Sequence, residues 1–260
     1  MRRESLILSI VTMVSLALIG ACVYVAYKAI DYRRHVNYFL DKYTHVVSSF
    51  SGRRQYSDAN SALAAAQPQK SRLVFLGDQI IESWPLEVYF PDYETLNRGI
   101  TGQWLAGFLL RLRPDVLELK PEAVVIQFSS YNFRPQFTVQ EIKDYVVSLA
   151  ELCRYNNVEP LLTTVIPVRG NENVFRAEGF QPYFVADSTA QFNRWLSDYC
   201  RLNSLLLIDY NSALADDDGY LPVALSIDNT HLTETGFKRL ADITSAALAE
   251  LPNLKRGKSE

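Results

Sequence analysis

The stretch LVFLGDQIIESW, residues 73 to 84, decides the fold of this chain. Its leading apolar residues predict a β-strand that ends at Gly77-Asp78, and a short helix follows. Position 79 therefore lies where a strand ends and a helix begins, which is where α/β folds present side chains to a ligand. The residue at this position is Gln79, whose amide is a poor nucleophile.

Strands and helices alternate along the rest of the chain, from residue 72 to 251. A continuous apolar run at 123–128 predicts a strand covered on both faces, and Thr138 with Glu141 predicts a capping box. This alternation predicts a parallel sheet with helices on both faces and a ligand at the carboxyl ends of the strands. We predict further strands at 94–97, 160–166 and 205–208, and helices at 104–112, 142–153, 190–201 and 234–251.

Composition excludes several classes of protein. With 48% hydrophobic residues and a net charge of −3, the chain is neither disordered nor a binder of polyanions. The sequence has no basic patch and no glycine-rich phosphate loop, so we expect no nucleic-acid partner. The three cysteines form no CxxC pair, and we expect no metal and no cofactor. Cys153 is expected to be a small buried hydrophobe, with a disulfide to Cys200 as the alternative.

The N-terminal segment predicts a membrane anchor. Residues 5 to 27 carry no charge, and a helix of this length spans about 34 Å, enough for a hydrocarbon core of about 30 Å. Basic residues flank the run on both sides, so the flanking charges do not fix its orientation. We predict a single-pass transmembrane helix within residues 1–29 and a domain outside the cytoplasm.

A lipoprotein signal is the alternative for the same segment. Ile19-Gly20-Ala21-Cys22 resembles a lipobox, which would make Cys22 a lipid attachment site. The apolar run continues past Cys22, and this favours the uncleaved anchor. We predict a stalk and linker over residues 30–70, the domain over 71–252 and a polar tail over 253–260.

Four segments at predicted strand ends or loops carry residues with chemical potential. Asp228 lies three residues before His231, the one histidine of the predicted domain, and an Asp–His pair of this kind fixes the imidazole tautomer. Asn132 offers a side-chain amide and Gly99 a backbone N–H, two kinds of group that stabilise an oxyanion. Gln79 completes the set. Taken one by one, these residues are equally explained as turn or cap residues.

Together, and in this order, the segments resemble the SGNH (GDSL-type) hydrolase family over residues 72–251. GDQIIESW resembles the family's Gly-Asp-Ser block, NRGITG its glycine block, SYNF its asparagine block and DNTHL its Asp-x-x-His block. The resemblance implies a flavodoxin-like three-layer α/β/α sandwich with a parallel sheet. It implies that Gly99 and Asn132 are oxyanion donors and that Asp228 and His231 are the catalytic pair. It also implies that Gln79 replaces the nucleophilic serine.

Two functions follow from the resemblance. The first is a pseudoenzyme or impaired esterase that binds an acylated ligand, such as a cell-surface glycan, or a protein partner. The second is an active ester hydrolase or acyl-transfer enzyme, in which His231 activates water or another nucleophile. Ser83, Ser129 and Ser130 are the nearby hydroxyls, and the sequence favours none of them. The segment 167–189 is a candidate lid or specificity loop, and simple packing of its aromatic side chains over the sheet edge explains it equally well.

Overall fold

The chain forms two compact units, Met1–Phe50 and Ser51–Glu260. In the first unit, one helix, α1, runs from Arg2 to Ser49. The computed structural model describes residues 2–49, 51–64, 68–133, 137–169, 182–228, 231–252 and 254.

Helix α1 carries the apolar N-terminal run. Between Ile7 and Leu40 it includes a window with a mean hydropathy of 2.3, none of which is buried. By length and composition this helix can cross a membrane, and a signal sequence near the N-terminus would pass the same test. The helix continues without a break through Cys22 and through the predicted stalk.

The second unit contains a five-stranded parallel sheet with the strand order β2-β1-β3-β4-β5. This is the flavodoxin-like order, and it confirms the predicted fold class. Every predicted strand is present, and the observed bounds differ from the predicted ones by up to three residues. The strands are β1 (Arg72–Gly77), β2 (Glu94–Gly99), β3 (Ala123–Ile126), β4 (Glu159–Thr163) and β5 (Leu206–Ile208).

Helices cover both faces of the sheet because strand side chains alternate. The helices are α2 (Ser57–Ala64), α3 (Gln79–Glu82), α4 (Leu86–Tyr89), α5 (Leu105–Asp115), α6 (Val139–Tyr155), α7 (Pro182–Asn203), α8 (Tyr210–Leu214) and α9 (Glu234–Ala249). From β1, Val74 and Leu76 pack with α5, α6 and α7, whereas Leu73 and Phe75 pack with α3, α8 and α9. The capping box predicted at Thr138 is present at the start of α6.

The register brings the ends of the central strands together. Gly77 at the end of β1 pairs with Gly99 at the end of β2, and Leu76 pairs with Ile126 at the end of β3. From β1 the chain adds β2 on one side of the sheet and then β3, β4 and β5 on the other side. The loops after β1 and β3 therefore diverge between these two strands. In open α/β sheets this topological switch point is where ligands bind.

Residues 51–64 pack in the second unit, although the sequence predicts that the domain begins at residue 71. Asn60 of α2 is buried; its Nδ2 donates to Asp115 Oδ1 at 2.6 Å and its Oδ1 accepts from Arg98 Nη2 at 2.6 Å. The alanine-rich, polar composition of this segment is typical of a linker. The Asn60 amide instead joins this segment to two distant charged side chains.

The structure also bears on the predicted loop at 167–189 and on the two cysteines of the domain. Helix α7 begins at Pro182, so the predicted loop at 167–189 is shorter than expected, and its residues 170–181 lie outside the described residues. Cys153 and Cys200 are separate buried thiols, not a disulfide. Burial raises the pKa of each thiol to about 12, so both remain protonated and unreactive.

Candidate active site

Gln79 is the first residue of α3, directly after the end of β1. The Asp78 carboxylate caps this helix, since its Oδ1 accepts the Ile80 N–H at 3.0 Å. The Gln79 side chain is only 5% exposed, and its Oε1 accepts the backbone N–H of Gly102 at 3.4 Å. This bond is longer than the usual range of about 2.7–3.2 Å and is therefore weak. The amide oxygen of Gln79 is thus the hydrogen-bond acceptor for a backbone N–H group of the neighbouring loop.

The loop from Gly99 to Gln103 follows β2, and all five of its backbone N–H groups donate hydrogen bonds. Gly99 donates to Asn97 Oδ1 at 2.9 Å, so its N–H is used within its own turn. Gly102 donates to Gln79, which makes Gly102, and not Gly99, the loop residue whose N–H meets the side chain at position 79. The acceptors for the other three are Gly77 O for Ile100, Glu82 Oε2 for Thr101 and Ile100 O for Gln103.

The two glycines of this loop are required for different reasons. A Cβ on Gly99 would lie 2.0 Å from the backbone nitrogen of Glu82, so only glycine allows α3 to pack on the end of β2. Gly102 has a φ of +69° and open space around its Cα, so it provides a left-handed turn. A second glycine three residues after Gly99 was the sequence signal for this turn. The sequence does not reveal which glycine turns its N–H toward Gln79.

Asn132 lies at the same edge of the sheet, after β3, and is buried. Its Oδ1 accepts the Leu105 N–H at 2.8 Å, and its Nδ2 donates to the Ser129 carbonyl at 3.2 Å. The side chain therefore fastens the loop after β3 to the start of α5. The next residue, Phe133, belongs to the core, and its ring lies 5.2 Å from that of Phe192.

Asp228 and His231 form a pair on an exposed turn before α9. His231 Nδ1 lies 3.0 and 2.9 Å from the two carboxylate oxygens, and the His231 backbone N–H donates to Asp228 Oδ1 at 2.8 Å. Both side chains are about half exposed. The carboxylate favours the tautomer with a proton on Nδ1, so Nε2 is the basic nitrogen of the ring.

The electrostatics of Asp78 connect the two halves of the site. Burial raises the pKa of the Asp78 carboxyl above its ordinary value. Hydrogen bonds from Ser129 and Ile80, together with the charge of His231, oppose this rise in pKa. Although the two residues are far apart in sequence, the charge of His231 therefore lowers the pKa of Asp78.

The described residues leave little open space between the loops after β1 and β3. Gln79, Ser129, Ser130 and Leu232 are among the side chains that line a cleft there, and about 20 Å³ of it is open to the centres of water molecules. This volume holds roughly one water. Ser83, as expected, points away from the cleft, since its Oγ donates to Gln79 O at 2.6 Å. Among the described residues, no cluster of three His, Cys, Asp or Glu side chains is arranged to hold a metal ion.

Sequence comparison identifies the class of protein to which this fold and site belong. Residues 74–239 match the model of the GDSL-like Lipase/Acylhydrolase family, and the chain belongs to this family. A solved relative is the GDSL-like lipase BT0569 from Bacteroides thetaiotaomicron. It is 25% identical with a TM-score of 0.67, and the match covers 78% of this chain and 100% of that protein.

Two curated proteins are also similar to parts of the chain. The uncharacterized lipoprotein YqeF of Bacillus subtilis is 29% identical over 105 residues, which are 35% of this chain and 43% of that protein. The N-acylneuraminate cytidylyltransferase of Streptococcus agalactiae is 26% identical over 179 residues, which are 69% of this chain and 38% of that protein. The chain thus spans less than half the length of both relatives.

Proposed function

We propose that this protein is a membrane-anchored member of the GDSL-like family that binds an acylated ligand without hydrolysing it. One observation carries the proposal: the Gln79 amide oxygen, at the position where the resemblance implies the nucleophile, accepts the Gly102 N–H. The residue that should attack the ligand instead occupies a donor that would receive the ligand's carbonyl oxygen.

The absence of a nucleophile at position 79 is decisive for turnover. An amide does not attack an ester, and removing the serine from enzymes of this design costs about 10⁶-fold in turnover. Ser83 is not a substitute, because its hydroxyl donates within its own helix. Apart from Ser129 and Ser130, which line the cleft beside Gln79, the site is left with binding groups and the Asp228–His231 pair.

In this proposal, the ligand replaces Gln79 as the acceptor of the Gly102 N–H. The Gln79 bond to Gly102 is weak at 3.4 Å, so an ester or amide carbonyl of the ligand replaces it at small cost. The cleft has room for about one water, so Gln79 must turn aside to admit an acyl group. Binding is therefore coupled to a change in the Gln79 rotamer.

The ligand class and the anchor are supported by separate observations. Helix α1 is long and apolar enough to span a bilayer, and this supports the membrane anchor in the proposal. The likeness to an enzyme named for N-acylneuraminate favours an acylated sugar, as on a cell-surface glycan. The likeness to a lipoprotein keeps Cys22 as the alternative point of attachment.

Alkaline carbonate extraction tests the anchor. We expect the full-length chain to remain in the membrane fraction, because a spanning helix does not depend on charge for its retention. Wild-type chain that washes off excludes the anchor. If Cys22→Ala alone releases the chain or blocks its maturation, attachment is through lipid.

A second candidate function is hydrolysis by water that His231 activates. The observation in its favour is the Asp228 carboxylate on Nδ1, which leaves Nε2 as a base. General-base catalysis of this kind contributes about 10²–10⁴-fold. It predicts slow ester hydrolysis by the wild type that His231→Ala abolishes.

Restoring the nucleophile tests the main proposal. The full-length chain in detergent is assayed on p-nitrophenyl acetate and with a fluorophosphonate probe, as wild type, Gln79→Ser and the matched control Gln79→Ala. We expect labelling and hydrolysis from Gln79→Ser alone, at about 10²-fold or more above wild type, a part of the 10⁶-fold that a serine supplies. Labelled wild type would reveal another nucleophile and end the proposal. A folded but inert Gln79→Ser would show that the loss of chemistry extends beyond position 79.

A further inference from the structure

The segment that precedes α2 contacts the backbone at the edge of the site. The hydroxyl of Tyr56, a half-buried residue, donates to the carbonyl of Gly99, the last residue of β2. The same peptide unit is held at its other end, since the Ile100 N–H donates to the Gly77 carbonyl at 3.0 Å. The orientation of this peptide plane, two residues before Gly102, is therefore fixed from both sides.

Arg98 provides a second connection between this segment and the loop. Its guanidinium lies over the Tyr56 ring at 4.6 Å, and its Nε and Nη2 donate to Asn60 Oδ1 at 3.1 and 2.6 Å. A stacked and hydrogen-bonded guanidinium restricts the aromatic ring to one position. The Tyr56 hydroxyl is thus aimed at the Gly99 carbonyl by its neighbours.

The far end of the loop is fastened to the same segment. Gln103 Nε2 donates to the Ser51 carbonyl at 3.2 Å, and Gln103 Oε1 accepts from Arg111 Nε. Residues 51–56 therefore bind both ends of the Gly99–Gln103 loop. Since Gly102 lies between these two ends, its N–H can turn only as far as they allow.

We infer that Tyr56 is a positioning residue, which orients the Gly102 N–H through the Gly99 carbonyl. The inference rests on the proposed function for the role of Gly102, and on the hydrogen bonds alone for the position of the loop. Preorganised donors stabilise a developing oxyanion because they need no reorientation during the reaction. Tyr56 touches neither ligand nor nucleophile and acts only through the backbone.

Amide hydrogen exchange tests the positioning without any activity. In the full-length chain in detergent, Tyr56→Phe removes one hydroxyl and keeps the ring under Arg98. We expect exchange in peptides covering residues 99–104 to become about fivefold or more faster, as for the loss of one net hydrogen bond. The matched control is Tyr155→Phe, since Tyr155 is 86% exposed. Unchanged exchange in the loop overturns the inference, and so does faster exchange across the whole sheet, which marks general support of the fold.

A kinetic readout separates positioning from structural support. In the Gln79→Ser background, Tyr56→Phe should lower kcat about tenfold and leave KM nearly unchanged, because the donor acts mainly on the transition state. This expected loss in kcat is smaller than the loss of about 10²–10³-fold that follows removal of an oxyanion donor itself. A rise in KM with constant kcat overturns the inference. If Gln79→Ser is inert, the loss of chemistry extends beyond position 79, and the exchange experiment alone decides the role of Tyr56.

Discussion

The end of β1 and the turn before α9 differ in how they hold their residues. Gln79 is buried, and strand, helix and glycine loop all fix its surroundings. The Asp228–His231 pair is half exposed, and three contacts between the two residues define it. A change of chemistry at position 79 therefore has to fit a fixed backbone. The pair is half open to solvent, so a substitution there meets fewer packing constraints.

The largest expected effect combines the two regions. In the Gln79→Ser variant, His231→Ala should lower ester turnover by about 10²–10⁴-fold, the contribution of a general base. In the wild type, the same change should leave affinity for an acylated ligand nearly unchanged, because Gln79 needs no base. Steady-state kinetics and a binding titration measure the two effects. If His231→Ala does not change the turnover of the Gln79→Ser variant, the two regions do not cooperate.

The glycines beside Gln79 should differ in their effect on stability. Gly99→Ala should lower the free energy of unfolding by about 1–3 kcal/mol, because the added Cβ meets the Glu82 backbone. Gly102→Ala should cost about 1–2 kcal/mol from its left-handed conformation alone. Urea denaturation measures both changes. A tolerated Gly99→Ala would mean that α3 can lift off β2, and that this region is less rigid than its contacts indicate.

Asp78 should give the buried region a distinctive pH dependence. Its pKa is raised by burial in the folded state, so the folded chain keeps this proton to a higher pH than the unfolded chain. Its contribution to stability is then greatest at low pH and falls as the pH rises through the two pKa values. Asp78→Asn, which still caps a helix, should lose less stability than the wild type as the pH rises from about 4, the ordinary pKa of an Asp carboxyl. A steeper fall in the variant than in the wild type contradicts the raised pKa.

The smallest effect is expected at the exposed pair. Asp228→Asn should change the free energy of unfolding by less than about 1 kcal/mol, since exposed ion pairs contribute little. Thermal unfolding at neutral pH provides the measurement, with the exposed pair of Lys238 and Asp242 on α9 as a control through Asp242→Asn. A large loss at Asp228 alone would mean that the turn is coupled to the core.

The parts of the fold that follow from local patterns were predictable. The apolar run of β3, the capping box at Thr138 and the Gly-Asp turn after β1 depend on residues close together in the chain. The role of residues 51–64 was missed because Asn60 finds its partners at Arg98 and Asp115, beyond the reach of any local pattern.

The sequence predicts which residues belong to the candidate site, but it does not predict which of their atoms form hydrogen bonds with one another. The resemblance brought Gln79 to the junction of β1 and α3, where the structure has it. The choice between Gly99 and Gly102 depends on the Asn97 side chain, which takes the first N–H and leaves the second to Gln79. Competition of this kind among hydrogen-bond acceptors is decided by side-chain rotamers, which a sequence does not record.

The point where the chain joins the domain has a mechanical consequence. Tension applied to the chain before Ser51 loads the bond from Gln103 to the Ser51 carbonyl first, and then the bond from Tyr56 to Gly99. These are single hydrogen bonds that break one at a time, whereas parallel strands share a load across several bonds. A pulling force would therefore slacken the Gly99–Gln103 loop while the sheet stayed intact, and the geometry of the proposed ligand site would change before the domain unfolds.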